Sequence, residues 1–236
     1  MQTYKILEDK HIGKNAFVFG AGTSVHGFDI APICDQVIMT VNSSFLLLPT
    51  DTSCLQNCYW LSNDALVRRW SYWTKIKESS TTRLVRDSWN KYYDEIPDFL
   101  IFWPRHTSED IIDPDGDGLC YCSSVPSSID LAIFMGCSRI FVFGVDQYHI
   151  LDKRYFWEYW PKTKQPRMFI RGISVIGEYM PNVKQQKMTY EYDKQSYAAL
   201  EGYSSSKNVK IYNCNPASKV DAFEKISTEQ VLEMIK

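Results

Sequence analysis

The stretch that most restricts what this chain can fold into is Lys14–Ser24, KNAFVFGAGTS. Ala16–Phe19 is a short apolar run of aromatic and β-branched residues without polar alternation, so it reads as a strand buried on both faces. The run ends in Gly20-Ala21-Gly22-Thr23-Ser24. Two glycines permit a tight turn and the close approach of a ligand to the main chain. Thr23 and Ser24 add hydroxyls, and the N–H groups of such a turn suit an anionic or nucleotide ligand. Val25 stands where the third glycine of a dinucleotide fingerprint would be, so an ordinary strand-to-helix turn stays open as the alternative.

The same buried-strand signature recurs at Gln36–Val41, Asn57–Leu61, Asp98–Trp103, Arg139–Val145 and Lys210–Asn213. Helices are predicted between them. One lies in Val25–Cys34 with Asp29 as N-cap, one runs from an Asp64 cap through Leu66, Val67, Trp70 and Trp73, and another covers Arg83–Tyr93. Further helices are expected at Pro126–Met135, stopped by Gly136, at Met188–Ser204, and from near Ser227. Met1–Gly13 carries little signal, and the polar, Asp- and Gly-rich His106–Gly118 reads as a loop. Strands alternating with helices imply an α/β domain with a mostly parallel sheet and helices on both faces. A chain of 236 residues fits one such domain, 1–236, with the aperiodic segment 151–187 inserted as an irregular lid.

Composition narrows the function. Net charge is −2 with no Lys/Arg-rich block, which does not suggest a nucleic-acid surface. No apolar run reaches spanning length and the N-terminus lacks a signal-peptide core, so the expectation is a cytoplasmic protein with no membrane span. Seven cysteines without framework or zinc spacing fit reduced, mostly buried thiols. Asp113–Asp117 imitates the start of a calcium loop, but position 124 is Ser124 rather than the required Glu. A solvated turn is the favoured reading there, with a weak Mg²⁺ site serving a diphosphate as its alternative. Aromatic content is 14%, densest at Tyr155–Pro161, where Lys153 and Arg154 precede and Lys162, Lys164, Arg167 and Arg171 follow. A lid whose rings stack on a ligand and whose cations meet phosphate fits this stretch, and a homo-oligomer interface is the rival.

In parallel sheets, ligands bind beyond the carboxyl ends of the strands. Small polar groups gather at those predicted exits: Gly20–Ser24, Asn42-Ser43, Ser62-Asn63-Asp64 and Asp146. Each alone is an ordinary turn residue; together on one edge they outline a binding site. Asp146 either points into that site and shapes the turn carrying Tyr148, or caps the turn. His149 is the histidine next to it and titrates in the range of a base, with a surface-loop histidine as the plainer reading.

The blocks FVFGAGTS, VNSS, YWLSND, CSSVPSSIDLAIFMGCSRIFVFGVDQY and IYNCNPAS resemble the bacterial sialyltransferases of glycosyltransferase family 42. They also resemble the wider Rossmann-like group that includes archaeal 6-hydroxymethylpterin diphosphokinases. The resemblance spans most of the chain, and Ser123–Tyr148 is its most specific block. It implies a transferase using a nucleotide-sugar donor of CMP-sugar type and an acceptor not named by the sequence. An ATP-dependent diphosphotransferase and a non-catalytic nucleotide-binding module are the alternatives. By match, the nucleotide would be held by Gly20, Ala21, Gly22, Thr23, Ser24, Asn42, Asn63 and Ser124, and the donor phosphate by Tyr148 and Tyr155, with Asp146 shaping the turn. The sialyltransferases' histidine base has no counterpart: MTYEYD stands there, so Glu191 by position and His149 by pKa range are the candidates.

Overall fold

The computed structural model describes residues 2–50, 55–105, 107–108, 111–112, 116–120, 123–148, 153–170, 173–176 and 183–236. Eight strands form one sheet: β1 Asn15–Phe19, β2 Val37–Val41, β3 Asn57–Ser62, β4 Thr82–Arg86, β5 Leu100–Phe102, β6 Arg139–Phe143, β7 Lys210–Asn213 and β8 Glu224–Lys225. Their order is β8-β7-β6-β1-β2-β3-β4-β5, and every neighbouring pair runs parallel. This is a Rossmann-like α/β fold, and the strand order reverses between β1 and β6, where such sheets open a crevice.

The strands are continuous hydrophobic runs because both faces are covered. Ala16 and Val18 point into one core, Phe17 and Phe19 into the other. The first core is closed by α2 (Ser124–Phe134) and α3 (Val183–Ser206), which lie in the chain between the short α1 (Trp73–Glu78) and α4 (Thr228–Met234). Helix α2 buries its serines by bonding them back along its own turns: Ser128 Oγ donates to the Ser124 carbonyl at 2.9 Å and Ser127 Oγ to that of Ser123 at 3.1 Å. Gly136, at φ 80°, ends this connection, as the sequence indicates. The second face carries α1, α4 and short 3₁₀ turns, and rings fill the space between them. Phe19 stacks on Phe143 at 5.2 Å, and Trp73 meets both Trp89 and Phe99.

Several local expectations give way to packing. Arg83–Tyr93 is not a helix: Leu84 and Val85 enter opposite cores as part of β4, and a 3₁₀ segment follows at Asp87–Glu95. The Asp64 cap does form, its carboxylate accepting from Leu66 N at 2.8 Å, but the helix lapses at Trp70. There the backbone is extended and bridges Met168, while Ser71 N donates to the Arg167 carbonyl at 2.8 Å. Within Val25–Cys34 no α-helix forms: one 3₁₀ turn, Thr23–Val25, ends there and another, Ala31–Ile33, follows. Tyr4 and Leu7, in the stretch without signal, are buried against the first core. In His106–Gly118 short pairings join Thr107–Ser108 to Ile111–Ile112, and Pro104–Arg105 pairs with Leu119–Cys120. Among the described residues no helix is long and apolar enough to cross a membrane.

Candidate functional site

The loop after β1 is built against the exit of β6. A Cβ on Gly20 would lie 2.5 Å from the Gly144 carbonyl oxygen, and one on Gly22 would lie 2.6 Å from Asp146 Oδ2 and 2.7 Å from the same carbonyl. Gly144 itself sits at φ 66°. The glycines are therefore required first by another stretch of main chain, and only then by any ligand. Gly20 N donates to the Phe143 carbonyl at 2.8 Å and Gly22 N to that of Gly144 at 2.9 Å.

Asp146 closes the join. Its carboxylate accepts from Thr23 Oγ1 at 3.0 Å, Ser24 N at 3.0 Å, Ser24 Oγ at 2.5 Å and Asn215 Nδ2 at 2.9 Å. The hydroxyls expected to face an anion thus bond a buried carboxylate instead, as does the Ser24 N–H. A carboxylate beneath the loop satisfies the same donors that would otherwise receive a phosphate.

Beside this join lies a cleft of about 230 Å³ over the carboxyl ends of β1, β2 and β6. The strand exits and the start of α2 supply one wall, Gly20, Ala21, Gly22, Asn42, Ser124 and Asp146; the stretch from 147 to 197 supplies the other, Gln147, Tyr148, Arg154, Tyr155, Tyr190, Asp193 and Tyr197. Larger hollows lie elsewhere, but this one sits at the crevice where the strand order reverses. Tyr155 is held by stacking on Trp157, with centroids 5.0 Å apart and planes 13° from parallel. Burial pushes the Tyr155 phenol pKa up, so the ring keeps its proton and stays a donor. The Tyr190 phenol is also raised by burial, against an opposing pull from Arg154.

The sequence-predicted residues divide. Gly20, Ala21, Gly22, Asn42, Ser124, Asp146, Tyr148 and Tyr155 border the cleft. Asn42, at φ 49°, uses its Oδ1 to accept from Ser62 Oγ at 2.7 Å. Asn63 does not border the cleft: its amide bonds Ser127 Oγ at 3.2 Å and its N–H bonds Ser124 Oγ at 3.0 Å, tying the β3 exit to α2. Thr23 and Ser24 turn to Asp146. Glu191 faces away, exposed and paired with Lys194 at 3.1 Å. His149 and Asp113–Asp115 lie outside the described residues, and Asp117 pairs with Lys5 and accepts from Tyr4 away from the cleft. The rings expected to stack on a ligand are largely core: Phe156 and Trp157 are each 1% exposed, and Trp157 Nε1 donates to Ser43 Oγ at 3.2 Å.

What sequence reading missed is on α3. Tyr190, Asp193 and Tyr197 recur at i, i+3 and i+7, a stripe on one face of a helix, and they border the cleft. Glu191 sits about 100° further round the helix than Tyr190. The stripe was readable in MTYEYDKQSY; its facing the cleft was not.

No protein-family model matches the chain, and no curated protein shows significant similarity to it. Among solved structures, the MAf glycosyltransferase from Magnetospirillum magneticum AMB-1 is similar, with a TM-score of 0.53 at 16% identity. The match covers 97% of this chain but 38% of that one, so this chain spans well under half the length of its structural neighbour. At that identity the likeness is one of fold: the two share a Rossmann-like α/β architecture.

Proposed function

We propose that this chain is a glycosyltransferase module that takes a nucleotide-sugar donor, of the CMP-sugar type used by the sialyltransferases it resembles. The observation that carries the reading is the unequal cleft at the strand-order reversal, where Tyr148, Tyr155 and Tyr190 converge with Arg154 and Asp193. Phenol donors and a guanidinium suit a phosphate that gains charge as it leaves. A carboxylate bordering the same cleft suits the proton of an attacking hydroxyl. In this reading the acceptor oxygen bonds to the anomeric carbon, and the carbon–oxygen bond to the phosphate breaks with its electron pair going to the nucleotide. The acceptor proton goes to Asp193, which replaces Glu191 as the assigned base because it borders the cleft and Glu191 does not. Asp146 is a positioning residue here, and Gly20–Gly22 with Asn42 and Ser124 form the nucleotide's floor.

The test is a thermal-shift screen with CMP, UDP, ATP and their sugar conjugates, with and without Mg²⁺, followed by donor turnover. Stabilisation by nucleotide sugars, and turnover lost in Asp193→Asn with binding kept, is the expected result. Mg²⁺-dependent ATP turnover would instead favour the diphosphotransferase of the pterin type. Tight binding with no turnover of any donor would leave a non-catalytic binding module.

A further inference from the structure

Gln147 differs from every other residue bordering the cleft in carrying two unfavourable features at once. Its backbone is left-handed, at φ 54°, where a non-glycine residue is strained. Its side-chain Nε2 and Oε1 are both shielded from solvent, and neither has a hydrogen-bond partner among the described residues. A buried polar atom without a partner destabilises the state in which it is found, and here both ends of one amide are in that position.

The surroundings hold the backbone in place. Asp146 is fixed by its four donors, its carbonyl accepts from Lys219 N at 3.0 Å, and the Val145 carbonyl accepts from Ser218 Oγ at 2.6 Å. The chain is therefore clamped up to the residue before Gln147, and the side chain is what remains adjustable. With no hydrogen bond to break, the amide can turn to meet a ligand in the cleft at little cost.

We propose that Gln147 sets the specificity of the cleft by reading a donor–acceptor edge on the ligand, an N–H beside a C=O or ring nitrogen. This rests on the nucleotide-sugar reading of the same cleft. An amide offers N–H donors and a carbonyl acceptor side by side, and only a group presenting the complementary pair satisfies both. A phosphate oxygen would satisfy Nε2 and leave Oε1 orphaned. The other amides at the strand exits are already engaged, Asn42 Oδ1 by Ser62 and the Asn63 side chain by Ser127. The pairing edge of a nucleobase presents that pair; a trans N-acyl amide on a sugar points its N–H and C=O to opposite sides and meets one of the two atoms alone.

The test uses the full chain, wild type, Gln147→Met and Gln147→Glu, by calorimetric titration and melting. The Met variant keeps side-chain length and removes the orphaned atoms; the Glu variant keeps acceptors and loses the donor. CMP and UMP against ribose 5-phosphate probe the base edge, and UDP-N-acetylglucosamine against UDP-glucose tests whether an N-acyl group is what the amide meets. The expected result is a rise of about 2–4 °C in the melting temperature of unliganded Gln147→Met. With it comes a loss of about tenfold or more in affinity for the preferred probe in both variants. Loss for CMP or UMP with none for ribose 5-phosphate supports readout of the base edge; loss confined to UDP-N-acetylglucosamine overturns it. A probe that wild type binds and both variants bind equally well overturns the inference and leaves the donor reading standing. Failure of every probe to bind wild type overturns the donor reading and this inference with it.

Discussion

The two walls of the cleft differ in residue type and in how their polar groups are used: one is small residues and a carboxylate, the other phenols, a cation, an amide and a carboxylate. On the β1 side, Thr23, Ser24, Asp146 and Asn215 satisfy one another, and Gly20 and Gly22 lie against Gly144 with no room for a side chain. On the Gln147 side, phenols, a cation and a carboxylate from three separate segments face one space, and one amide has no partner among the described residues. The first wall is joinery and the second is equipped for chemistry. Small polar residues at a strand exit therefore do not by themselves mark ligand contacts; whether their bonds are already made does.

The comparison breaks most sharply at Gly22. Gly22→Val places carbon against Asp146 Oδ2 and the Gly144 carbonyl, and neither backbone nor clamped carboxylate can retreat. A loss of about 4 kcal/mol or more in stability is expected, read by denaturant unfolding, so the variant loses its fold before any ligand question arises. A folded Gly22→Val protein of normal stability would show that the wall is looser than described.

On the other wall the large effect is expected in rate. Tyr148→Phe and Tyr155→Phe should each lower turnover of a nucleotide-sugar donor by about 10²–10³, with stability changed by under about 1 kcal/mol. Single-turnover kinetics beside melting curves separate the two. Full turnover in the double variant would reject the phosphate assignment.

Asp146→Asn tests the joinery more gently. One amide oxygen replaces a carboxylate that takes four donors, and the new NH₂ meets donors rather than acceptors. A cost of about 2–3 kcal/mol is expected, with a proportionate drop in urea midpoint. The smallest effect belongs to Glu191→Gln, an exposed pair with Lys194: under about 0.5 kcal/mol and no change in turnover. Activity lost in Glu191→Gln and kept in Asp193→Asn would return the base to Glu191.

Local residue pattern determined six of the eight strands; β4, expected as part of a helix, and β8 were set by packing. Ala16–Phe19, Val37–Met39 and Ile140–Phe143 are continuous apolar runs because a parallel strand covered on both faces needs no polar alternation, and that need is written residue by residue. Capping at Asp64 and Ser227 and the stop at Gly136 were legible for the same reason, since each depends on bonds within a few residues. Tertiary structure decided what each exit residue does. Asp146 meets Ser24 across 122 residues and Asn215 across 69, and no local rule says that those bonds form in place of bonds to a ligand. It likewise decided which stripe of α3 faces the cleft, setting Asp193 inside and Glu191 in solvent, because a helix's orientation about its own axis is set by what it packs against.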